Sequence, residues 1–297
     1  MKKKLISIII NCFNGEKYLQ QALHSILNQD YKNFEVIFVD NCSTDSSAKI
    51  FKKIKDRRLK YFRTKKKLKL YDSRNFALNK AKGDFIAFLD ADDWWDKNFL
   101  TSRSKFFRSN KTYGYSFSNC LHYYENRNIY KPFFNKKLPS GNILDDLLKY
   151  YFVKLSTIII KKKLLYNKKF DPSFNIIGDY DFIIKISKNF EGMGFQDTLV
   201  NIRIHKDNFT HNNRKMFYQE FKRWIKNQDF ENFYFKKNKN FLLQKLEYLR
   251  LIYLIFENKK FSLIKEIIKY PILFYKLKLL IIFFIPNSLV KLIKDFF

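Results

Sequence analysis

The sequence predicts an α/β protein: a mixed, mainly parallel, Rossmann-like sheet flanked by helices, with a mainly helical C-terminal extension. Three observations carry this expectation. Short β-branched runs alternate with helix-spaced segments from Leu5 to about Leu100. Polar clusters follow three of those runs directly. From about Lys206 the chain turns to long basic, aromatic, helix-spaced patterns.

Taken in order, Leu5–Ile10 is a β-branched run closed by Asn11, the pattern of a buried strand. After Asn14 and Gly15, apolar residues at Leu19, Ala22, Leu23, Ile26 and Leu27 keep helical spacing. "FEVIFVD" is a second buried strand and "NCSTDSS" a turn rich in N-cap residues, while Ile50, Phe51 and Ile54 mark a second helix. "LKYFR" reads as a third strand, Ser73–Ala81 as a helix ended by Gly83, and "FIAFL" as a fourth strand delivering the chain to Asp90. Parallel sheets bind ligands beyond the C-terminal ends of their strands, at a topological switch point. Asn11–Asn14, Asp40–Asn41 and Asp90–Asp93 all fall at such ends. Residues from about 113 to 205 mix short strands with helices, one of them starting at Asp179. The expected division is a domain over 1–210 and a helical, basic and aromatic region over 211–297.

The chain has 297 residues, 46% of them hydrophobic, which is enough for a real core. Its formal net charge of +30 points to a polyanionic partner: nucleic acid, an anionic membrane surface or a phosphorylated ligand. Abundant Lys, Asn, Ile, Phe and Tyr with little Gly or Pro is also the drift of an AT-rich genome, so part of the lysine excess carries no function. Cys12, Cys42 and Cys120 have neither CxxC spacing nor an even count, so a zinc site and a disulfide framework are not indicated and a reducing cytoplasm is expected. The basic start is followed by too short an apolar run for a signal peptide, and no segment has the roughly 20 uninterrupted apolar residues of a membrane span. The segment from Tyr270 to Phe297 breaks short apolar pieces with lysines and two prolines. That suits a segment lying in a membrane interface, or a helix folded on the core.

The stretch "GDFIAFLDADDWWD" concentrates negative charge in a basic chain. Asp90, Asp92 and Asp93 repel one another unless a cation neutralises them, and Mg²⁺ or Mn²⁺ is the economical choice. The bland alternative makes Asp92 or Asp93 the cap of a helix starting near Trp94. A calcium EF-hand fails, because Trp95 stands where glycine is needed and Thr101 where glutamate is.

"SIIINCFNGEKYLQQALHSILNQDYKNFEVIFVDNCSTDSS" followed by "SRNFALNKAKGDFIAFLDADD" resembles the nucleotide-sugar domain of the inverting family 2 glycosyltransferases, with the GT-A fold. Several motifs recur in order over residues 5–100. The resemblance implies that Asn11 and Phe13 line the nucleobase pocket, that Asp40 accepts from the base edge, and that Arg74 lies near the donor's phosphates or base. It implies that Asp90 and Asp92 form a DxD motif touching ribose and sugar hydroxyls and holding the metal, with Asp93 a further metal ligand. "FNIIGDYDF" is similar to the family's acidic-aromatic motif, which puts the catalytic base at Asp179 and the following acidic position at Asp181. A carboxylate at a helix start suits a general base, and equally an N-cap. "NIRIHKDNFTHN" is similar to a segment closing the donor site, with Arg203 and His205 as contacts; His211 stays undecided. Trp94 or Trp95 serves as a core anchor or as a sugar platform, and Trp94 is assigned to the acceptor side. The run Lys65, Lys66, Lys67 and Lys69 is a solvated loop or a steering patch for anionic donors or acceptors.

Two departures stand out. The family often has "VDDGSTD" where this chain reads Asp40, Asn41, Cys42, and it commonly has Glu where Gly178 stands. The expected activity is metal-dependent inverting transfer from a nucleotide-diphospho-sugar, with a UDP-sugar as leading donor. The expected acceptor is a hydroxyl of a glycan or lipid-linked glycan in bacterial surface polysaccharide or glycoconjugate assembly. The enzyme is expected in the cytoplasm or peripherally on the inner face of its membrane. The rivals are a sugar-nucleotide-binding module without catalysis, which should lack the metal aspartates or the base, and a nucleic-acid-binding protein, which the spread of basic residues and the lack of a recognised binding motif disfavour.

Overall fold

The computed structural model describes residues 3–206, 208, 213–257 and 262–285; His211 and residues 286–297 lie outside them. The chain divides into two compact units, Met1–Lys206 and Asp207–Phe297.

The first unit is built on a seven-stranded sheet. The expected strands form at β1 (Ile6–Cys12), β2 (Phe34–Asp40), β3 (Leu59–Arg63) and β4 (Phe85–Phe88), all parallel, with β1 between β2 and β4. β2 is buried along its whole length and β1 at every position but Asn11, which is why both read as continuous apolar runs and not as alternation. Between them run α1 (Leu19–Leu27), α2 (Ser47–Lys53) and α3 (Leu70–Lys80). Leu19, Ala22, Leu23 and Ile26 of α1 bury their stripe in the same core as Ile6, Ile8 and Ile10 of β1. Gly83 ends the turn after α3 because a Cβ there would lie 2.6 Å from the Ser7 backbone nitrogen. Its N–H instead donates to Ser7 Oγ at 2.7 Å.

Beyond β4, Trp94–Trp95 forms β5 and not the start of a helix; α4 begins later, at Phe99–Ser109. β6 (Tyr115–Ser118), β7 (Leu121–Tyr124), β8 (Ile129–Pro132), α5 (Leu144–Lys149), β9 (Ile159–Lys161), α6 (Gly178–Ser187), β10 (Gly192–Phe195) and β11 (Val200–Ile204) complete the unit. The large sheet is ordered β10-β6-β9-β4-β1-β2-β3, with β9 antiparallel to both neighbours. A second sheet is ordered β5-β11-β7-β8. The chain winds outward from β1 to β3 and returns to β4 on the other side of β1, which sets the switch point between β1 and β4.

The second unit contains α7 (Arg214–Lys226), α8 (Phe233–Glu257), α9 (Ser262–Lys269) and α10 (Leu273–Phe284). Leu251 and Ile255 of α8, Leu263 and Ile267 of α9, and Leu279, Ile282 and Phe283 of α10 share one buried cluster.

Candidate active site

Three strand ends and one helix start supply the polar groups of the switch-point edge. α3 carries Arg74 beneath them, with its side chain 4% exposed. Its Nη2 donates to Asp90 Oδ1 at 2.7 Å and its Nη1 to Asp179 Oδ1 at 2.5 Å. One guanidinium fork therefore binds a carboxylate from the end of β4 to one from the first turn of α6, 105 residues from the arginine in sequence. Asp179 is not the helix cap, since Ile177 occupies that position. Burial raises its pKa above the ordinary carboxyl value, the Arg74 charge opposes this, and the Asp90 charge adds to it. Asp90 is 46% and Asp179 25% exposed, so both remain open to a ligand.

Asp92 Oδ2 lies 3.1 Å from His205 Nε2, and its side chain is 32% exposed. The His205 ring packs against Tyr18 with centroids 5.1 Å apart. Among the described residues no three His, Cys, Asp or Glu side chains form a metal cluster. A carboxylate oxygen beside an imidazole nitrogen is nonetheless a donor pair that suits Mn²⁺ or Mg²⁺, whose remaining positions are commonly filled by phosphate oxygens and water. The residues present fit such an ion through Asp92 and His205.

Asp93, expected as a further metal ligand, differs from its neighbours. It is buried, Oδ2 accepting from Ser156 Oγ at 2.6 Å and Oδ1 from the Arg203 N–H at 3.1 Å. Burial raises its pKa well above the ordinary carboxyl value, and the charges of Asp92 and Asp90 push it the same way. The side chain ties β11 and the 3₁₀ turn Leu155–Thr157 to the end of β4. Arg203 is likewise a strut and not an open donor contact. It is buried, donates from Nε to the Asp92 carbonyl at 3.1 Å and from Nη2 to Gln21, and its guanidinium faces the Tyr18, Trp94 and Tyr123 rings. Trp94, assigned to the acceptor side, packs edge-on against Tyr123 and Tyr130. Trp95 is the core anchor, donating from Nε1 to the Ser156 carbonyl at 2.8 Å. Asp181, also assigned to the acceptor side, is instead buried inside α6 and ion-paired to Lys185 at 2.6 Å.

On the nucleotide side, Phe13 is 43% exposed and carries Lys67 Nζ 3.4 Å from its ring centroid, so one member of the lysine run has a specific seat. Asn11 Nδ2 donates to Ser73 Oγ at 2.7 Å, fixing the end of β1 to α3. Asp40 is the residue expected to accept from the base edge. It is fully buried, with Oδ1 accepting from the Ser43 N–H and Oδ2 from the Tyr61 hydroxyl and Arg63 Nη1. Asn41 explains the departure from a second acidic residue. Its Oδ1 accepts from the Leu68 N–H and its Nδ2 donates to the Leu68 carbonyl, both at 2.8 Å. That pairing needs one acceptor and one donor, and a carboxylate has no donor. Cys42 takes the left-handed φ of 62° that glycine serves elsewhere, and its Sγ reaches the Thr64 carbonyl at 3.2 Å.

Gly178 is likewise explained by a partner. A Cβ there would meet the Tyr71 ring at 2.4 Å; the Tyr71 hydroxyl donates to the Ile176 carbonyl at 2.9 Å and accepts the Asp179 N–H at 3.3 Å. Tyr71 thus fills the volume where a side chain at position 178 would lie and helps seat Asp179. Lys154 was missed by sequence reasoning. Burial lowers its pKa, while Cys120, Asp93, Asp179 and Asp90 pull it back up, so it adds positive charge near the carboxylates. A lone lysine inside the apolar stretch "FVKLSTIII" was the available signal. A hollow of ≈ 1970 Å³, rich in lysines, lies at the opposite edge, where β1 and β4 begin, and touches none of these residues.

Residues 7–187 match the Glycosyl transferase family 2 profile, more than half of the chain, and the protein belongs to that family. An uncharacterized glycosyltransferase of Methanocaldococcus jannaschii is 32% identical over 70% of this chain and 74% of its own. The UDP-Glc:alpha-D-GlcNAc-diphosphoundecaprenol beta-1,3-glucosyltransferase of Escherichia coli is 34% identical over 56% of this chain, and the matched part spans 64% of that protein. The GalNAc(5)-diNAcBac-PP-undecaprenol beta-1,3-glucosyltransferase of Campylobacter jejuni is 33% identical over 57% of this chain and 55% of its own. In fold, the chain resembles S. aureus TarS 1-349 in complex with UDP-GlcNAc, with a TM-score of 0.64 at 19% identity over 90% of this chain and 81% of that one. It resembles equally the mannosyltransferase PcManGT from Pyrobaculum calidifontis in complex with GDP-Man and Mn²⁺, with a TM-score of 0.64 at 17% identity over 95% and 80%.

Proposed function

From membership of the family 2 glycosyltransferases, we propose that this protein moves a hexose or N-acetylhexosamine from a UDP-sugar to a hydroxyl of a lipid-linked glycan, with inversion at the anomeric carbon. The observation that carries the reading is the Arg74 fork holding Asp90 and Asp179 side by side at the switch point. In this reading Asp179 is the base, and Asp90, held beside it by Arg74, faces the donor's hydroxyls.

In this scheme Phe13 stacks on the uracil, giving up its contact with Lys67, whose ammonium then turns to the diphosphate. Asp90 uses its outer oxygen for ribose and sugar hydroxyls, since the inner one is taken by Arg74. Asp92 and His205 would hold Mg²⁺ or Mn²⁺, which supplies positive charge to the departing diphosphate. Asp179 takes the acceptor hydroxyl's proton as that oxygen bonds to the anomeric carbon and the bond to the phosphate oxygen breaks, the electron pair leaving with UDP. A partly desolvated carboxyl with a raised pKa is a better base than a fully solvated one, while Arg74 keeps it ionised and aimed. The undecaprenol-linked substrates named for the two bacterial relatives support an acceptor at a membrane surface.

A thermal-shift series of UDP-, GDP- and dTDP-sugars with and without Mn²⁺ tests the donor, and product stereochemistry by NMR tests the scheme. A metal-dependent shift with UDP-sugars and an inverted linkage is expected. A retained linkage would sink the single-displacement mechanism.

A further inference from the structure

α10 has two apolar faces, and its own unit uses only one. Leu279, Ile282 and Phe283 are buried in the cluster with α8 and α9. Leu273, Phe274, Leu277, Ile281 and Phe284 are between 48% and 68% exposed. Projected at about 100° per residue, these five fall within an arc of about 100°. Single exposed hydrophobics are ordinary, but five on one helix face form a patch that marks a contact surface.

The edges of the stripe say what it contacts. Lys276 and Lys278 project on its two sides, and Lys278 Nζ lies 4.8 Å from the Phe274 ring at the stripe's border. Protein–protein contact patches are depleted of lysine. A bilayer interface has the matching layers: apolar chains below, anionic phosphates at the level to which lysines reach along their apolar stems. At about 1.5 Å per residue the helix is about 18 Å long. That is too short to cross a hydrocarbon core of about 30 Å, and suited to lying along its surface. No described helix is long and apolar enough to cross a membrane.

We propose that this face of α10 docks on an anionic lipid bilayer, its apolar stripe among the acyl chains and Lys276 and Lys278 at the phosphates. The proposal deepens the lipid-linked acceptor reading, and a bilayer-held enzyme would meet such an acceptor in two dimensions.

The test is cosedimentation of the full chain with vesicles of phosphatidylcholine alone or mixed with phosphatidylglycerol. The wild type binds the anionic vesicles, and high salt weakens it. Leu277→Glu with Ile281→Glu lowers affinity at least about tenfold. Lys276→Gln with Lys278→Gln lowers it about tenfold on anionic vesicles only. All four side chains lie outside the buried cluster, so the thermal midpoint stays unchanged and shows that the variants fold. Equal binding by wild type and the glutamate variant overturns the proposal, as does no binding by the wild type. Light scattering that shows a wild-type dimer split by the glutamates, without vesicle binding, assigns the face to a second copy. Binding that appears only after residues 286–297 are removed assigns it to that segment; both results overturn the bilayer. If vesicle binding follows the expected pattern while no nucleotide sugar is ever transferred, the docking face stands and the transferase reading falls.

Discussion

The two halves of the switch-point edge are built differently. On the nucleotide side, Asp40 and Asn41 spend their polar atoms on the protein itself, on Ser43, Tyr61, Arg63, Thr64 and Leu68. On the sugar side, Asp90, Asp92 and Asp179 each keep a quarter to a half of their surface open; Arg74 balances Asp90 and Asp179 from below, and His205 lies beside Asp92. The first half is a finished scaffold, so damage to it should appear as lost stability. The second keeps unspent charge for a ligand, so damage to it should appear as lost rate.

The largest effect should come from Asp179→Asn, which keeps the shape and removes the proposed base. Turnover should fall about 10²- to 10⁴-fold, while UDP-sugar binding by calorimetry and the unfolding midpoint change little. Unchanged turnover would place the base elsewhere. Arg74→Ala should break the comparison on purpose, because this residue lies in the open half yet is itself buried and ion-paired like scaffold. Leaving two carboxylates without their buried cation should cost about 2–3 kcal/mol in denaturant unfolding, discounted because Asp90 is nearly half exposed, and transfer should be lost as well.

Asn41→Asp should cost about 1–3 kcal/mol, since a buried carboxylate would face the Leu68 carbonyl where an amide donated. Its kcat should hold, and a fall in kcat without loss of stability would erase the distinction between the halves. Asp93→Asn sharpens it through pH. A buried carboxyl whose native pKa is raised binds its proton more tightly folded than unfolded. Its contribution is therefore fully present below the ordinary carboxyl pKa of 3.8 and declines as pH rises towards the native value. Wild-type stability minus that of the asparagine variant should decline from acid towards neutral pH, and a difference that rises would refute a raised native pKa. The smallest effect is expected for Cys42→Gly, a gain of about 1 kcal/mol or less, as relief of the left-handed conformation outweighs the weak Sγ contact with Thr64.

Much of the fold was legible because its signals are local. β1, β2, β3 and α1 fall where runs and spacing put them. Trp94–Trp95 did not, since a two-residue strand exists only because Val200 and Asn201 come to pair with it. The same distinction runs through the site. Asp90, Asp92, Arg74 and Asp179 could be named from motifs in sequence. That Asp93 points inward beside Asp92 could not, because Ser156 and the Arg203 N–H, which turn it inward, arrive from distant elements. The packing of Arg203 and Asp181 was hidden for the same reason: a charged residue in a motif gives no sign of the neighbours that bury it. Gly178 read as a missing glutamate, whereas Tyr71 from α3 occupies that volume.

By itself the sequence determined which segments become strands and helices and which carboxylates reach the strand ends, since hydrophobic period and chain order are written along the chain. Only the tertiary structure decided which of those carboxylates stay open, because that depends on whether remote elements pack over each one, as the Ser156 turn and β11 do over Asp93. It decided in the same way that one face of α10 is buried and the other left apolar and exposed, since the amino-acid pattern makes both faces fit for burial and only packing chooses between them.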